Sequence, residues 1–209
     1  MSQTRPTEES GITPLSPETV EQNGRSSRPK FLLMFVILVV LVTVAGVGGV
    51  WIFNQTSLEK PLQRVLTADP RNRVVHATAH FDGWIDTTIV VFNLTKVDGE
   101  STQIDVFRTL LQFAREQKDH SYERVILAAY GKKKFVLSGE YFQQLGRAYD
   151  SENPVYTIRT FAHHLSTMAG EQPFAEPTGG LFWILKEETD QFTQFNKRWY
   201  LDDFVSREK

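Results

Sequence analysis

The chain has 209 residues, a formal net charge of −2 at pH 7 and no cysteine. The lack of cysteine excludes disulfides, thiol nucleophiles and cysteine-ligated metal sites. The balanced charge gives no reason to expect binding to nucleic acid.

Residues 1–30 are rich in Ser, Thr, Glu, Gln and Pro and contain few apolar side chains. Such a composition does not offset the entropy lost on ordering, so we predict a disordered tail. The tail ends in three cations, at Arg25, Arg28 and Lys30. The first basic residue beyond the apolar stretch that follows is Lys60. By the positive-inside rule, we predict that the N-terminus is cytoplasmic and that the C-terminal domain is extracytoplasmic.

Residues 31–53 form an uncharged apolar stretch, FLLMFVILVVLVTVAGVGGVWIF. At about 1.5 Å per residue, a helix of this length extends about 34 Å and can cross a hydrocarbon core of about 30 Å. We therefore predict one transmembrane helix in the membrane bilayer. It is an uncleaved signal anchor, since the stretch is longer than the apolar core of a signal peptide. Ala45 and Gly49 are small residues four apart, which would permit a homodimer through close approach of two such helices.

Residues 54–72 are predicted to form a stalk that contains a short helix. Pro61 suits the first turn of that helix. The apolar residues after it recur at helical spacing: Leu62, Val65, Leu66. The remainder, residues 73–209, is long enough for one folded domain with a core.

The domain begins with a predicted β-hairpin. Apolar and polar residues alternate over residues 73–81 and 84–97, as in half-buried strands. Asp82-Gly83 between them predicts a tight turn. The buried face of the second strand is predicted to carry Thr88, Val90, Phe92 and Leu94.

An amphipathic helix is predicted over residues 102–118. Thr102 and Asp105 have the spacing of a capping box. One side of the helix is apolar and is expected to lie across the hairpin: Ile104, Phe107, Leu110, Leu111, Ala114. The charged residues that fall away from this side are predicted to face solvent: Arg108, Arg115, Glu116.

A second pair of strands is predicted over residues 125–130 and 134–137, around a turn at Gly131. Ser138 then begins a helix. Asn153-Pro154 begins another, which runs to Gly170, with a strand over residues 155–158 as the alternative. A last helix over residues 181–200 is predicted to bury one apolar stripe: Leu181, Ile184, Leu185, Phe192, Phe195, Trp199. The order ββαββααα predicts an α+β domain with an antiparallel sheet and helices on one side.

No residue pattern specifies a catalytic, cofactor or metal site. His76 and His80 lie on a predicted strand, where positions four apart are separated by about 13 Å, too far to bind one metal ion. His163 and His164 are adjacent, so on a helix they diverge by about 100° and at most one faces a given site.

The clusters of charged residues are also predicted to be solvated rather than to form a site. The run of three lysines at residues 132–134 lies at a predicted turn and is expected to be solvated, with contact to anionic headgroups or an acidic partner as the alternative. Glu187, Glu188 and Asp190 are neighbours on one predicted helix. They are expected to form its solvated face rather than a converging acid and base.

Two functions are consistent with these patterns. The first is a membrane-anchored protein whose extracytoplasmic domain binds another membrane or extracytoplasmic protein, or takes part in the assembly of a cell envelope. The second is a membrane-tethered enzyme with a site built from scattered residues near His163, His164 and the 170–180 loop.

Overall fold

The structure is a computed structural model that describes residues 28–83 and 86–207. The predicted tail lies outside the described residues as far as residue 27, and so do Trp84 and Ile85 in the predicted hairpin. A few helical residues are described without their side chains: residues 28–31, Val47, Val50, Trp51 and Arg207. The chain divides into two units, Met1–Thr43 and Val44–Lys209.

The first helix, α1, runs from Arg28 to Asn54. The large apolar side chains described between Leu32 and Val44 are all exposed. Counting only the side chains that the structure describes, no helix is both long enough and apolar enough to cross a membrane.

The second unit contains a five-stranded sheet and the remaining helices. Its regular elements are, in chain order, α2 (Lys60–Ala68), β1 (Val75–Phe81), β2 (Ile89–Val97), α3 (Gln103–Glu116), β3 (Arg124–Ala129), β4 (Lys132–Ser138), α4 (Gly139–Ala148), α5 (Pro154–Phe161), β5 (Leu165–Thr167), α6 (Leu181–Asn196) and α7 (Asp202–Arg207). Short 3₁₀ turns at Pro70–Val74 and Ala162–His164, and π-helical turns at Gln55–Glu59 and Lys197–Leu201, connect some of them.

The strands lie in the order β1-β2-β3-β4-β5. The α+β class is confirmed, but the sheet is mixed. β2 and β3 are parallel, whereas the other neighbouring pairs are antiparallel. The prediction of a wholly antiparallel sheet is therefore wrong at β2 and β3. These strands are joined by α3, and a helical crossover brings the chain back to start the next strand in the same direction.

The main core lies on one face of the sheet. The residues predicted to point inward from β1 and β2 are buried there, apart from Thr88: Val75, Ala77, Ala79, Phe81, Val90, Phe92, Leu94. The predicted helix at α3 covers this face, and the ring centres of Phe113 and Phe92 lie 5.6 Å apart. The opposite face carries a smaller buried cluster drawn from strands alone: Val91, Ile126, Ala128.

Residues 54–72, predicted as a stalk, pack against the sheet. Leu58 and Leu62 are fully buried in the main core, and Val65 is buried beside them. The Asn54 side chain also contacts β1, where its Oδ1 accepts a hydrogen bond of 2.8 Å from Phe81 N.

The helix predicted from Asn153-Pro154 to Gly170 is shorter than expected. The Asn153 side chain caps it, as predicted, by accepting a hydrogen bond from Val155 N. However, α5 ends at Phe161, and β5 pairs with β4 a few residues later. Pairing with the exposed edge of β4 gives the backbone of β5 hydrogen-bond partners, and this tertiary contact outweighs the helical spacing of the sequence.

The helices α3 and α4 approach each other closely at Gly146. A Cβ added to Gly146 would lie 2.2 Å from the carbonyl oxygen of Ala114. Because the obstructing atom belongs to the backbone of α3, a side chain at this position requires the two helices to move apart.

We expect Gly146→Ala to lower the free energy of unfolding by about 1–3 kcal/mol, although alanine favours a helix over glycine by about 1 kcal/mol. Denaturant titration of the full-length protein in a mild detergent measures the change. The control is Gly99→Ala, because an added Cβ there meets no atom within 4 Å. Its effect should stay within about 0.5 kcal/mol. A Gly146→Ala protein as stable as the wild type would contradict the close contact.

Candidate functional site

The structure does not bring the four candidate histidines together. His76 and His80 project from the exposed side of β1. His163 Nε2 lies 2.9 Å from Gln191 Oε1 on α6. Among the described residues, no group of three or more His, Asp or Glu side chains could hold a metal ion.

His164 has a different neighbour from His163. Its ring stacks on Tyr141, with ring centres 3.7 Å apart. Burial is the larger cause that lowers the pKa of His164, and the nearby His163 lowers it further, so the neutral imidazole is favoured.

An ion pair between two side chains joins α5 to α6. Arg159 Nε donates to Glu188 Oε2 at 2.6 Å, and Glu188 is only 6% exposed. The prediction that Glu188 lies on a solvated face is wrong, because its partner comes from another helix. Asp190 behaves as predicted: it lies at the surface and accepts a hydrogen bond of 2.8 Å from Lys186 Nζ.

The three lysines at residues 132–134 all have carboxylate partners. Lys132 and Lys134 lie 3.0 and 2.7 Å from the two oxygens of Asp203, and Lys133 pairs with Asp82. The Lys134 and Lys132 ammonium groups hold the pKa of Asp203 below its usual range. All three ammonium groups therefore have a partner within the domain, although two carboxylates offset only part of the charge of three lysines.

A cleft of about 370 Å³ lies between α3, α4 and the start of α5, and we refer to it as the helical cleft. Most of its walls are apolar side chains: Ile104, Phe107, Leu111, Leu145, Ala148, Ile158. Its charged lining residues are Arg71, Arg108 and Glu152. Apolar walls with a few polar groups are typical of a ligand-binding site.

Both arginines of the cleft are paired. Arg71 donates to the two carboxylate oxygens of Asp69 over 2.7–3.2 Å. This contact holds the pKa of Asp69 well below its usual range. Arg108, which was predicted to face solvent, is only 14% exposed and lies 2.9 Å from Asp105. Arg108 is buried because a cluster of polar side chains packs beside α3.

The centre of that cluster is Asn72, which no local sequence pattern marks. Asn72 is fully buried. Its Nδ2 donates to the carbonyl oxygen of Val65, at 2.9 Å, and to Gln112 Oε1, while its Oδ1 accepts from Thr109 Oγ1 at 3.2 Å. A buried amide must be satisfied in this way, and its partners lie on two other helices.

A narrower pocket, of about 70 Å³, adjoins the helical cleft. The two cavities share Leu145, Ala148, Glu152 and Thr157. We refer to the narrower one as the tyrosine pocket, after its other main lining residues: Tyr141, Tyr156, Thr160, His164.

The start of α6 forms a second apolar surface. Leu181, Phe182 and Trp183 are 72%, 81% and 57% exposed. The prediction that the apolar stripe of this helix is buried along its whole length is therefore wrong for the first turns. It holds further along, where Phe192, Phe195 and Trp199 are buried.

Comparison of the chain with models of protein families, with curated proteins and with solved structures finds no match.

We expect Glu188→Gln to lower the free energy of unfolding by about 1–3 kcal/mol, because it leaves the half-buried Arg159 without its counter-charge. Chemical denaturation of the full-length protein measures the loss. Asp190→Asn is the matched control, since it removes an exposed ion pair on the same helix. That change should cost about 0.5 kcal/mol or less. Equal losses in the two variants would show that the Arg159 contact stabilises no more than a surface pair.

Proposed function

We propose that the chain is a single-pass membrane protein whose extracytoplasmic α+β domain binds a segment of another membrane or extracytoplasmic protein. In this function it serves as a binding or assembly module of a cell envelope. The observation that carries the proposal is the helical cleft, an open cavity with apolar walls and a charged edge.

The apolar stretch 31–53 supports the membrane anchor. It carries no charge, and its full length matches the thickness of a hydrocarbon core. It lies within α1, where the large side chains described from Leu32 to Val44 are exposed. So many exposed apolar side chains are unfavourable in water and favourable in a bilayer. The stretch also includes the aromatic residues Phe31 and Trp51, whose side chains the structure does not describe.

The orientation follows from the basic residues around that stretch. Arg25, Arg28 and Lys30 precede it closely, whereas Lys60 is the first basic residue after it. We expect a reporter that is active only outside the cytoplasm to be active when fused after Lys209, because positive charges are retained on the cytoplasmic side. Reversing the bias with Arg25→Glu, Arg28→Glu and Lys30→Glu should reduce that activity. A fusion active only with a cytoplasmic reporter would overturn the orientation.

The size and position of the cleft support binding of a protein segment. Its volume lies at the lower end of the range for ligand sites, about 300–1,000 Å³, so it suits one or two side chains rather than a large cofactor. Ile104 lines the cleft and is 47% exposed, so a partner can reach it from solvent. The exposed start of α6 offers a further apolar surface for contact with a partner.

Photo-crosslinking in cells of the source organism tests the cleft. A benzoylphenylalanine placed at Ile104 should form a covalent adduct with a specific protein. Ala148→Trp should abolish the adduct, since the larger side chain fills the cleft. The control position is Gln194, which is exposed on α6 and does not line the cleft. Thermal melts verify that the variants fold. An adduct that persists in the Ala148→Trp protein, or forms equally from Gln194, contradicts the proposal.

The homodimer through Ala45 and Gly49 stays a prediction. An added Cβ on Gly49 meets no atom within 4 Å, so this position is open to a second helix.

The alternative function, a membrane-tethered enzyme near His163, His164 and the 170–180 loop, has less support. Those histidines contact different neighbours, and His163 is hydrogen-bonded to Gln191.

A further inference from the structure

Glu152 lies where the helical cleft and the tyrosine pocket meet, because it lines both cavities. Leu145 and Ala148 are shared as well, so a ligand in the cleft lies next to the carboxylate. The apolar part of such a ligand and a polar group attached to it can therefore be bound side by side.

The charges around this junction leave Glu152 without a partner. Arg71 and Arg108 are paired with Asp69 and Asp105. Among the described residues, Glu152 is in no salt bridge and is the single carboxylate that lines either cavity. Glu152 is exposed, so its carboxylate is accessible from solvent. The lowered pKa of His164 favours an uncharged imidazole in the same pocket.

An unpaired carboxylate favours a positively charged ligand, and the aromatic rings of the tyrosine pocket favour one as well. Tyr156 lines the pocket and is 57% exposed, so a ligand can reach its side chain from solvent. Tyr141 lies deeper and stacks on His164. Tyrosine rings attract cations through their negative faces, and a nearby carboxylate adds to that attraction.

We propose that the junction binds a lysine or arginine side chain of the protein segment whose neighbouring apolar side chain occupies the helical cleft. This inference rests on the proposed function and specifies the chemistry of the partner: an apolar residue next to a basic one. The cation lies against the Tyr156 ring and forms an ion pair with the Glu152 carboxylate.

Three matched dipeptide amides test the charge preference: acetyl-Leu-Arg-amide, acetyl-Leu-Gln-amide and acetyl-Leu-Glu-amide. They are titrated into the full-length protein in lipid nanodiscs, with ¹³C-labelled tyrosine rings observed by NMR. The Tyr141 and Tyr156 signals are assigned through Tyr→Phe variants. We expect the Leu-Arg peptide to shift the Tyr156 signal saturably and to bind about fivefold or more tightly than the Leu-Gln peptide. The Leu-Glu peptide should bind most weakly.

Variants of the carboxylate complete the test. Glu152→Gln should remove the advantage of the Leu-Arg peptide, and Glu152→Asp should keep part of it. Glu140→Gln, which removes an exposed carboxylate at the start of α4, should leave it unchanged. Thermal melts compare the folding of all three.

Equal binding of the Leu-Arg and Leu-Gln peptides to the wild type would overturn the inference and leave the apolar cleft intact. A Leu-Arg advantage that survives Glu152→Gln would also overturn it. If no peptide shifts either tyrosine signal, the inference fails, and the crosslinking from Ile104 decides separately whether the cleft binds a protein.

Discussion

The packing of α3 on one face of the sheet is the contact on which the rest of the domain depends. Its Phe107 ring meets Phe161 of α5 and Phe192 of α6 edge-on, with ring centres 4.8 and 5.1 Å apart. Ala114 lies against Gly146, which brings α4 alongside. The side of α3 that remains carries Ile104 and becomes a wall of the helical cleft. The cleft is therefore formed by the same helix that closes the core.

Local sequence patterns predicted the parts of the fold that depend on local chemistry. The capping box at Thr102 and Asp105 and the side-chain cap at Ser138 are present as predicted. The alternation in β2 correctly identified Val90, Phe92 and Leu94 as buried, because strand side chains alternate between faces. The parallel pairing of β2 with β3 and the pairing of β5 with β4 were missed. Both depend on which strand lies next to which, and hydrophobic spacing carries no such information.

The candidate site could be predicted only in part. The apolar side of α3 was recognised, but its periodicity does not show that Ile104 extends past the core. Arg108 and Glu188 are charged residues on helices, and the sequence favours solvent for both. Glu188 is buried because Arg159 of α5 pairs with it, and Arg108 is largely buried because Asp69 and Asn72 pack beside it from another part of the chain. No sequence pattern marks Glu152, because what distinguishes it is that the neighbouring charges of Arg71 and Arg108 are paired in the folded domain. The position of this carboxylate at the junction is a property of the folded domain rather than of a sequence motif.

The two tryptophans whose side chains the structure describes beyond α1 provide built-in spectroscopic reporters. Trp199 is fully buried, stacks on Phe195 and donates from Nε1 to the carbonyl oxygen of Ala128 at 3.1 Å. Trp183 is more than half exposed at the start of α6. The chain also contains Trp51 and Trp84. An indole in an apolar core fluoresces at shorter wavelength than one in water, so the emissions of Trp199 and Trp183 are separable in a protein that carries Trp51→Phe and Trp84→Phe. Fluorescence at the blue edge then follows the attachment of the C-terminal segment to β3, and fluorescence at the red edge follows the environment of the free end of α6.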